Sequence, residues 1–181
     1  MKKTLALVLA VFTLFALCAC RKTPAVQEEE SVRKLLDDCV RLAQSFDEEL
    51  ARKVMPEGMY DYYVSEYANR DQDFIALLRD QFAESQTHYA QTYGEDWKIT
   101  YEMLEEIEKD AEGVQNYIEF DSYYFRSYGI DTDKIEAVTF AKVRMHIEGS
   151  LDSNEKDKTI QCFLIDGKWY SFYAVMMGLR L

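Results

Sequence analysis

The sequence predicts an α+β domain in which N-terminal helices pack on one face of a curved antiparallel sheet of about four strands. Three observations carry that expectation. Apolar residues recur every three or four positions through the first half of the chain, the spacing of a helix face. From Trp97 onward apolar and polar residues alternate, the spacing of a strand with one covered face. Near the end, Asp166-Gly167 separates two apolar runs by two residues, a strong signal for a tight hairpin.

Taken in order, Leu35, Cys39, Leu42, Phe46 and Leu50 predict one helix from Ser31 to about Lys53, with Ser31 as its cap. Pro56 and Gly58 interrupt it. Met59 to Ala68 reads as a short second helix with Tyr60, Tyr63, Val64 and Tyr67 on one side. A third runs from about Asp71 to Tyr93 on the stripe Phe74, Leu78, Phe82, Ser85, Tyr89 and Tyr93, and Gly94 stops it. In "WKITYEMLEEIE" Trp97, Ile99, Tyr101 and Met103 alternate with polar neighbours, so a strand follows. A fourth helix spans about Gly113 to Tyr128 through Val114, Tyr117, Ile118, Tyr124, Phe125 and Tyr128. Three strands close the chain: Glu136 to Gly149, Lys158 to Ile165, and Lys168 to about Met177. "SLDSNEKDK" reads as a loose turn between the first two. Ala141, Val143, Met145 and Ile147 are expected to face the helices, with Lys142, Arg144, His146 and Glu148 facing away.

The beginning of the chain speaks to location. Lys2 and Lys3 precede an uncharged, Leu- and Ala-rich run from Thr4 to Cys20. That length is marginal for a membrane span, which needs about 20 apolar residues, and suits a signal peptide. The run ends Leu17-Cys18-Ala19-Cys20, which resembles the bacterial lipobox. The resemblance implies cleavage after Ala19, with diacylglycerol on the Cys20 thiol and the protein held at the outer face of the bacterial cytoplasmic membrane. Its first partner is then the lipid bilayer. Residues 1–19 form the lipoprotein signal peptide, 20–30 the lipidated cysteine and flexible tether, and 31–181 a single domain. An uncleaved signal anchor with incidental cysteines is the alternative reading. Two acyl chains hold a protein at the bilayer where one binds only reversibly. The tether "RKTPAVQEEE" reaches at most about 35 Å when fully extended.

Removing the signal peptide takes Lys2 and Lys3 from the 21 basic residues and leaves all 33 acidic ones, a net charge of −14 with the histidines neutral. A surface this acidic argues against nucleic acid as a partner, because binding to phosphate is dominated by basic contacts. It also argues against the body lying flat on anionic lipid. Beside Cys20, the mature chain keeps Cys39 and Cys162. Export permits a disulfide between them, yet Cys39 sits in a helix stripe and Cys162 alternates with Ile160 and Leu164, where free core thiols are common.

The element order, the segment "SYGIDTDKIEAVTFAKVRMHIEGS" and the closing "IDGKWYSF" resemble the nuclear transport factor 2-like superfamily over about residues 31–177. More narrowly, they are similar to small lipoproteins of that class in anaerobic Gram-positive bacteria. The resemblance implies the helix-on-sheet fold and no particular activity, since that fold hosts isomerases, dehydratases, transport adaptors and plain binders. An isomerase of the class needs a pocket carboxylate with a tyrosine donor, and no acid here aligns with that role.

Other motifs read as structure. His88 and His146 lack matching ligands nearby, so no metal is expected, and no cofactor. Asp152 to Asp157 departs from a calcium loop because Lys156 stands at the fifth position. "EMLEEIEKDAE" reads as a hydrated acidic cluster where a strand enters a loop. Tyr63, Tyr67, Trp97, Tyr101 and Tyr124 are candidates for an apolar ligand pocket with hydroxyls at its rim, with ordinary core packing as the alternative. The expected function is a non-enzymatic binding module for a small apolar ligand or a protein partner. An envelope scaffold working through the sheet face of Lys142, Arg144 and His146 is one alternative, and an isomerase- or dehydratase-like enzyme is another. Cys20→Ser is expected to remove the diacylglycerol mass from the N-terminal peptide and to leave residues 1–19 attached, read by mass spectrometry, while Cys18→Ser leaves lipidation and cleavage unchanged.

Overall fold

Side-chain caps set where the helices begin. The structure, a computed structural model, describes residues 31–171. The signal peptide, Cys20 and tether, and the part of the last strand expected beyond Ser171, lie outside the described residues. Ser31 Oγ accepts the Lys34 amide at 3.2 Å and opens α1 (Val32–Gln44). Asp47 Oδ1 accepts the Leu50 amide at 3.0 Å and opens α2 (Glu48–Val54). The single helix expected over 31–53 is therefore two. Ser45 is extended, and the Asp47 carboxylate offers the backbone a fresh start that outcompetes continuation. Buried Asp38 on α1 ties the pieces together by accepting from Lys53 Nζ at 2.8 Å and Arg41 Nη1 at 3.2 Å.

The next helix, α3 (Glu57–Ala68), follows Pro56, and α4 (Phe74–Tyr93) begins only after Asp73 accepts the Ile75 and Ala76 amides. Asp71, the expected start, takes a left-handed φ of 55° and belongs to the preceding turn. The predicted stripe from Phe74 to Tyr93 is buried throughout. Four strands form one antiparallel sheet in chain order: β1 (Lys98–Glu108), β2 (Ile135–Glu148), β3 (Ser153–Ile165) and β4 (Lys168–Tyr170). Asp166 and Gly167 both have left-handed φ, 50° and 73°, which makes the two-residue turn between β3 and β4 that their sequence predicts.

Two strands depart in detail from what the sequence suggests. β1 runs through the acidic stretch to Glu108, absorbing Leu104 as a bulge between the pairs Met103↔Val143 and Glu105↔Lys142. The acidic cluster thus lies largely on a strand, with Asp110 capping the helix beyond. β3 starts at Ser153, so "SNEKDK" is strand and the turn is shorter than expected. Its polar residues find partners on β2: Asp157 accepts from Arg144 Nε at 2.8 Å, and Glu155 lies 2.9 Å from His146 Nδ1.

Helices cover both faces of the sheet, where one was expected. Ile99, Ala141, Val143, Met145, Ile147, Ile160 and Cys162 form a buried inner face, and Cys39 of α1 interacts with Cys162 there. Val138 and Phe163 point to the opposite face by strand alternation, yet they are also buried. Their cover is the predicted fourth helix, which is again two: α5 (Ala111–Phe120) and α6 (Ser122–Ser127), separated at Asp121. Phe125 meets Phe163 edge-on at 5.5 Å, and Tyr117 packs on Phe140 at 5.2 Å.

Gly58 fixes α3 against the end of α6. A β-carbon there would overlap the Tyr128 carbonyl. Gly58→Ala should lower the unfolding free energy by about 2 kcal/mol or more, read as a lower urea midpoint with an unchanged slope.

Candidate functional site

The aromatic residues of α3 and α6 build the most distinctive surface of the described chain. Tyr63 stacks on Phe74 with ring centres 5.3 Å apart, and Tyr67 packs on the same ring at 5.4 Å. The hydroxyls of Tyr63 and Tyr128 are 3.0 Å apart. Burial, and then this hydrogen bond, push Tyr128 well above the ordinary tyrosine range. Tyr62 meets Tyr128 edge-on at 5.2 Å, and Tyr124 tilts against it at 6.3 Å. Burial, then Glu66 and Tyr123, raise the pKa of Tyr62, and Tyr123 meets Tyr124 edge-on at 5.6 Å. The cluster opens outward: Phe120 is 85 % exposed, Tyr123 72 % and Tyr124 53 %.

Of the five sequence-predicted pocket residues, Tyr63 and Tyr124 both pack on Tyr128, and Tyr67 joins them through Tyr63 and Phe74. Trp97 lies elsewhere, packed on Tyr89 at 5.1 Å. Tyr101 fastens β1 to α1: its hydroxyl donates to Asp37 Oδ1 at 2.9 Å, with the Arg33 carbonyl at 3.1 Å. Burial, and then the Asp37 bond, hold the Tyr101 proton far more tightly than usual. A recess of about 260 Å³ does occur at the α1–α2 break, lined by Arg41, Gln44, Ser45, Asp47 and Leu50. Its carboxylate is engaged in capping α2, and Arg41 is bonded to Asp38.

Sequence reasoning missed Phe120, Asp121 and Tyr123. The available signal was their position: Phe120 and Tyr123 fall outside the apolar stripe assigned to the fourth helix, so they have no core to enter.

Elsewhere the chemistry is subdued. Among the described residues no cluster of three or more His, Cys, Asp or Glu is placed to hold a metal. On the outer sheet face the cations are paired: Lys142 with Glu105 at 2.7 Å, Arg144 with Asp157, and His146 with Glu155. No helix of the described residues is long and apolar enough to cross a membrane. Comparison with family models, curated proteins and solved structures finds no match.

Cys39 and Cys162 are free thiols in the core. Burial, with Glu106 second, pushes Cys162 up to about 12, and burial followed by Cys162 pushes Cys39 higher still. Such thiols are unreactive, because the thiolate is the nucleophile. Their folded pKa values exceed the ordinary 9.0, so the unfolded chain loses these protons first as pH rises. The stability advantage of the native chain over Cys162→Ala should be constant below pH 9 and should narrow as pH climbs toward 12. Denaturation midpoints across that range check it, and a gap that does not change with pH would refute the burial argument.

Proposed function

We propose that this chain is a lipid-anchored, extracytoplasmic and non-enzymatic binding module with a nuclear transport factor 2-like fold, which engages an envelope protein through Phe120, Tyr123 and Tyr124. The carrying observation is the exposure of three aromatic side chains within five residues at the junction of α5 and α6. A single exposed apolar residue needs no explanation, whereas a contiguous aromatic patch marks an interaction surface. Aromatic residues are enriched at the centres of protein interfaces. Burying such a ring contributes about 1.5–3 kcal/mol, and association itself costs about 4 kcal/mol or more. Three rings alone therefore support a transient contact.

The order of elements and the Asp166-Gly167-Lys168-Trp169-Tyr170 turn support the fold assignment, and Leu17-Cys18-Ala19-Cys20 supports the anchor. The reading of a small apolar ligand in a concave pocket has less support, because Cys39, Leu42, Met55 and Phe82 occupy the core as fully packed side chains. An enzyme of the isomerase or dehydratase kind has less still. The carboxylate–tyrosine pairs Asp37–Tyr101 and Glu48–Tyr60 fasten neighbouring elements to one another. A scaffold acting through Lys142, Arg144 and His146 would first have to break their ion pairs.

Photo-crosslinking side chains placed at Phe120 and at Glu84 in the native host test the reading. A discrete adduct with one envelope protein is expected from position 120 and not from 84, and a companion Tyr123→Ser change should remove it. Equal labelling from both positions, or a small molecule retained by the purified protein with no adduct, would overturn it.

A further inference from the structure

Aspartates start elements throughout this chain by spending their carboxylates on backbone amides. Asp47, Asp73, Asp110 and Asp131 each accept at least one amide in the turn that follows. Asp121 also precedes a helix, α6, but its backbone is near-helical (φ −94°, ψ 10°) where the other four are extended, and its side chain makes no such bond. No ion pair engages it among the described residues. It is half-buried, and burial is what raises its pKa, with no cation opposing the shift. Its oxygens still reach water and have no protein donor among the described residues, which leaves them open to an incoming cation. In the sequence it lies between Phe120 and Tyr123, two of the exposed aromatic residues.

The geometry points to Asp121 as the charge anchor of that patch, selecting a partner protein that presents an arginine or lysine beside an apolar side chain. This rests on reading the patch as a binding surface and adds what the surface recognises. The nearby cations are committed elsewhere. Arg126 turns back onto the Ser122 carbonyl and hydroxyl, at 3.2 and 3.3 Å, and Arg70 reaches Glu66 at 3.3 Å. A guanidinium arriving from outside gains both the free carboxylate and the faces of the tyrosine rings. Net charge argues against two other occupants. A second copy would bring one body of −14 against another, and an anionic bilayer would be repelled by the same field.

The test uses the mature lipoprotein in non-ionic detergent and two synthetic amphipathic helical peptides. They share one apolar face, and the arginines of the first are replaced by neutral citrulline in the second. The arginine peptide is expected to bind about tenfold more tightly. Asp121→Asn should erase that preference, and Glu84→Gln, which removes the same unit of charge from a remote exposed site, should keep it. Circular dichroism checks that both variants remain folded. If Phe120→Ser weakens both peptides while Asp121→Asn leaves the arginine preference intact, the charge-anchor inference fails and the patch reading stands. If Phe120→Ser changes neither affinity, the patch reading itself fails. Self-association that Phe120→Ser abolishes in sedimentation would assign the patch to a second copy and overturn the inference.

Discussion

In the first half of β2, Val138 and Phe140 point to one face of the sheet while Ala137, Thr139 and Ala141 point to the other, and both sets are shielded from water. A strand with two apolar faces needs two covers. α1 supplies one, laying Leu35, Cys39 and Leu42 on the inner face, and α5 with α6 supplies the other through Tyr117 and Phe125. The second cover is thin. It has a sheet beneath it and solvent above, so any aromatic residue on its upper side stays exposed. Phe120, Tyr123 and Tyr124 are exposed on this cover, and the aromatic patch follows from the layer order.

Periodicity was informative where a single apolar face met a single neighbour. The α4 stripe from Phe74 to Tyr93 and the inward set Ala141, Val143, Met145 and Ile147 are buried as their spacing implies. It failed where a local hydrogen bond overrode a continuing stripe. Leu42, Phe46 and Leu50 keep helical spacing straight across the break at Ser45, because the apolar pattern does not register that Asp47 has started a new helix. The same happens at Asp121, with the difference that no cap accounts for that break. Polar composition misled in the opposite direction. Ser153 to Asp157 has the residues of a turn, yet it extends because β2 offers Arg144 and His146 opposite its acids. Cross-strand pairing is a tertiary fact and leaves no trace within the segment itself. The two-sided cover was legible in principle, since "EAVTFA" is a nearly continuous apolar run where a half-exposed strand would alternate.

The candidate site divides along the same line. Tyr63 and Tyr67 could be recognised from helical spacing as members of one face. Their association with Tyr124 through Tyr128 required α3 and α6 to meet, which depends on the close approach that Gly58 permits. Trp97 and Tyr101 share the alternation of a strand and were grouped with the others on residue type, which carries no information about distance.

Electrostatics and layer order together constrain how such a domain would present itself on a membrane. α1 lies on the inner face and begins at Ser31, where Tyr101 of β1 holds its first turns. The proposed tether from Cys20 therefore joins the domain on the side opposite α5 and α6. Under the proposed lipidation, the tether would hold the entry point of the chain nearest the lipid, and the net charge of −14 left after cleavage would resist close contact with anionic headgroups. The point of attachment would then turn the aromatic patch away from the bilayer. On the proposed reading, a partner would then meet Phe120, Tyr123 and Tyr124 without displacing lipid, and the acidic field of the domain would draw in a cationic protein surface.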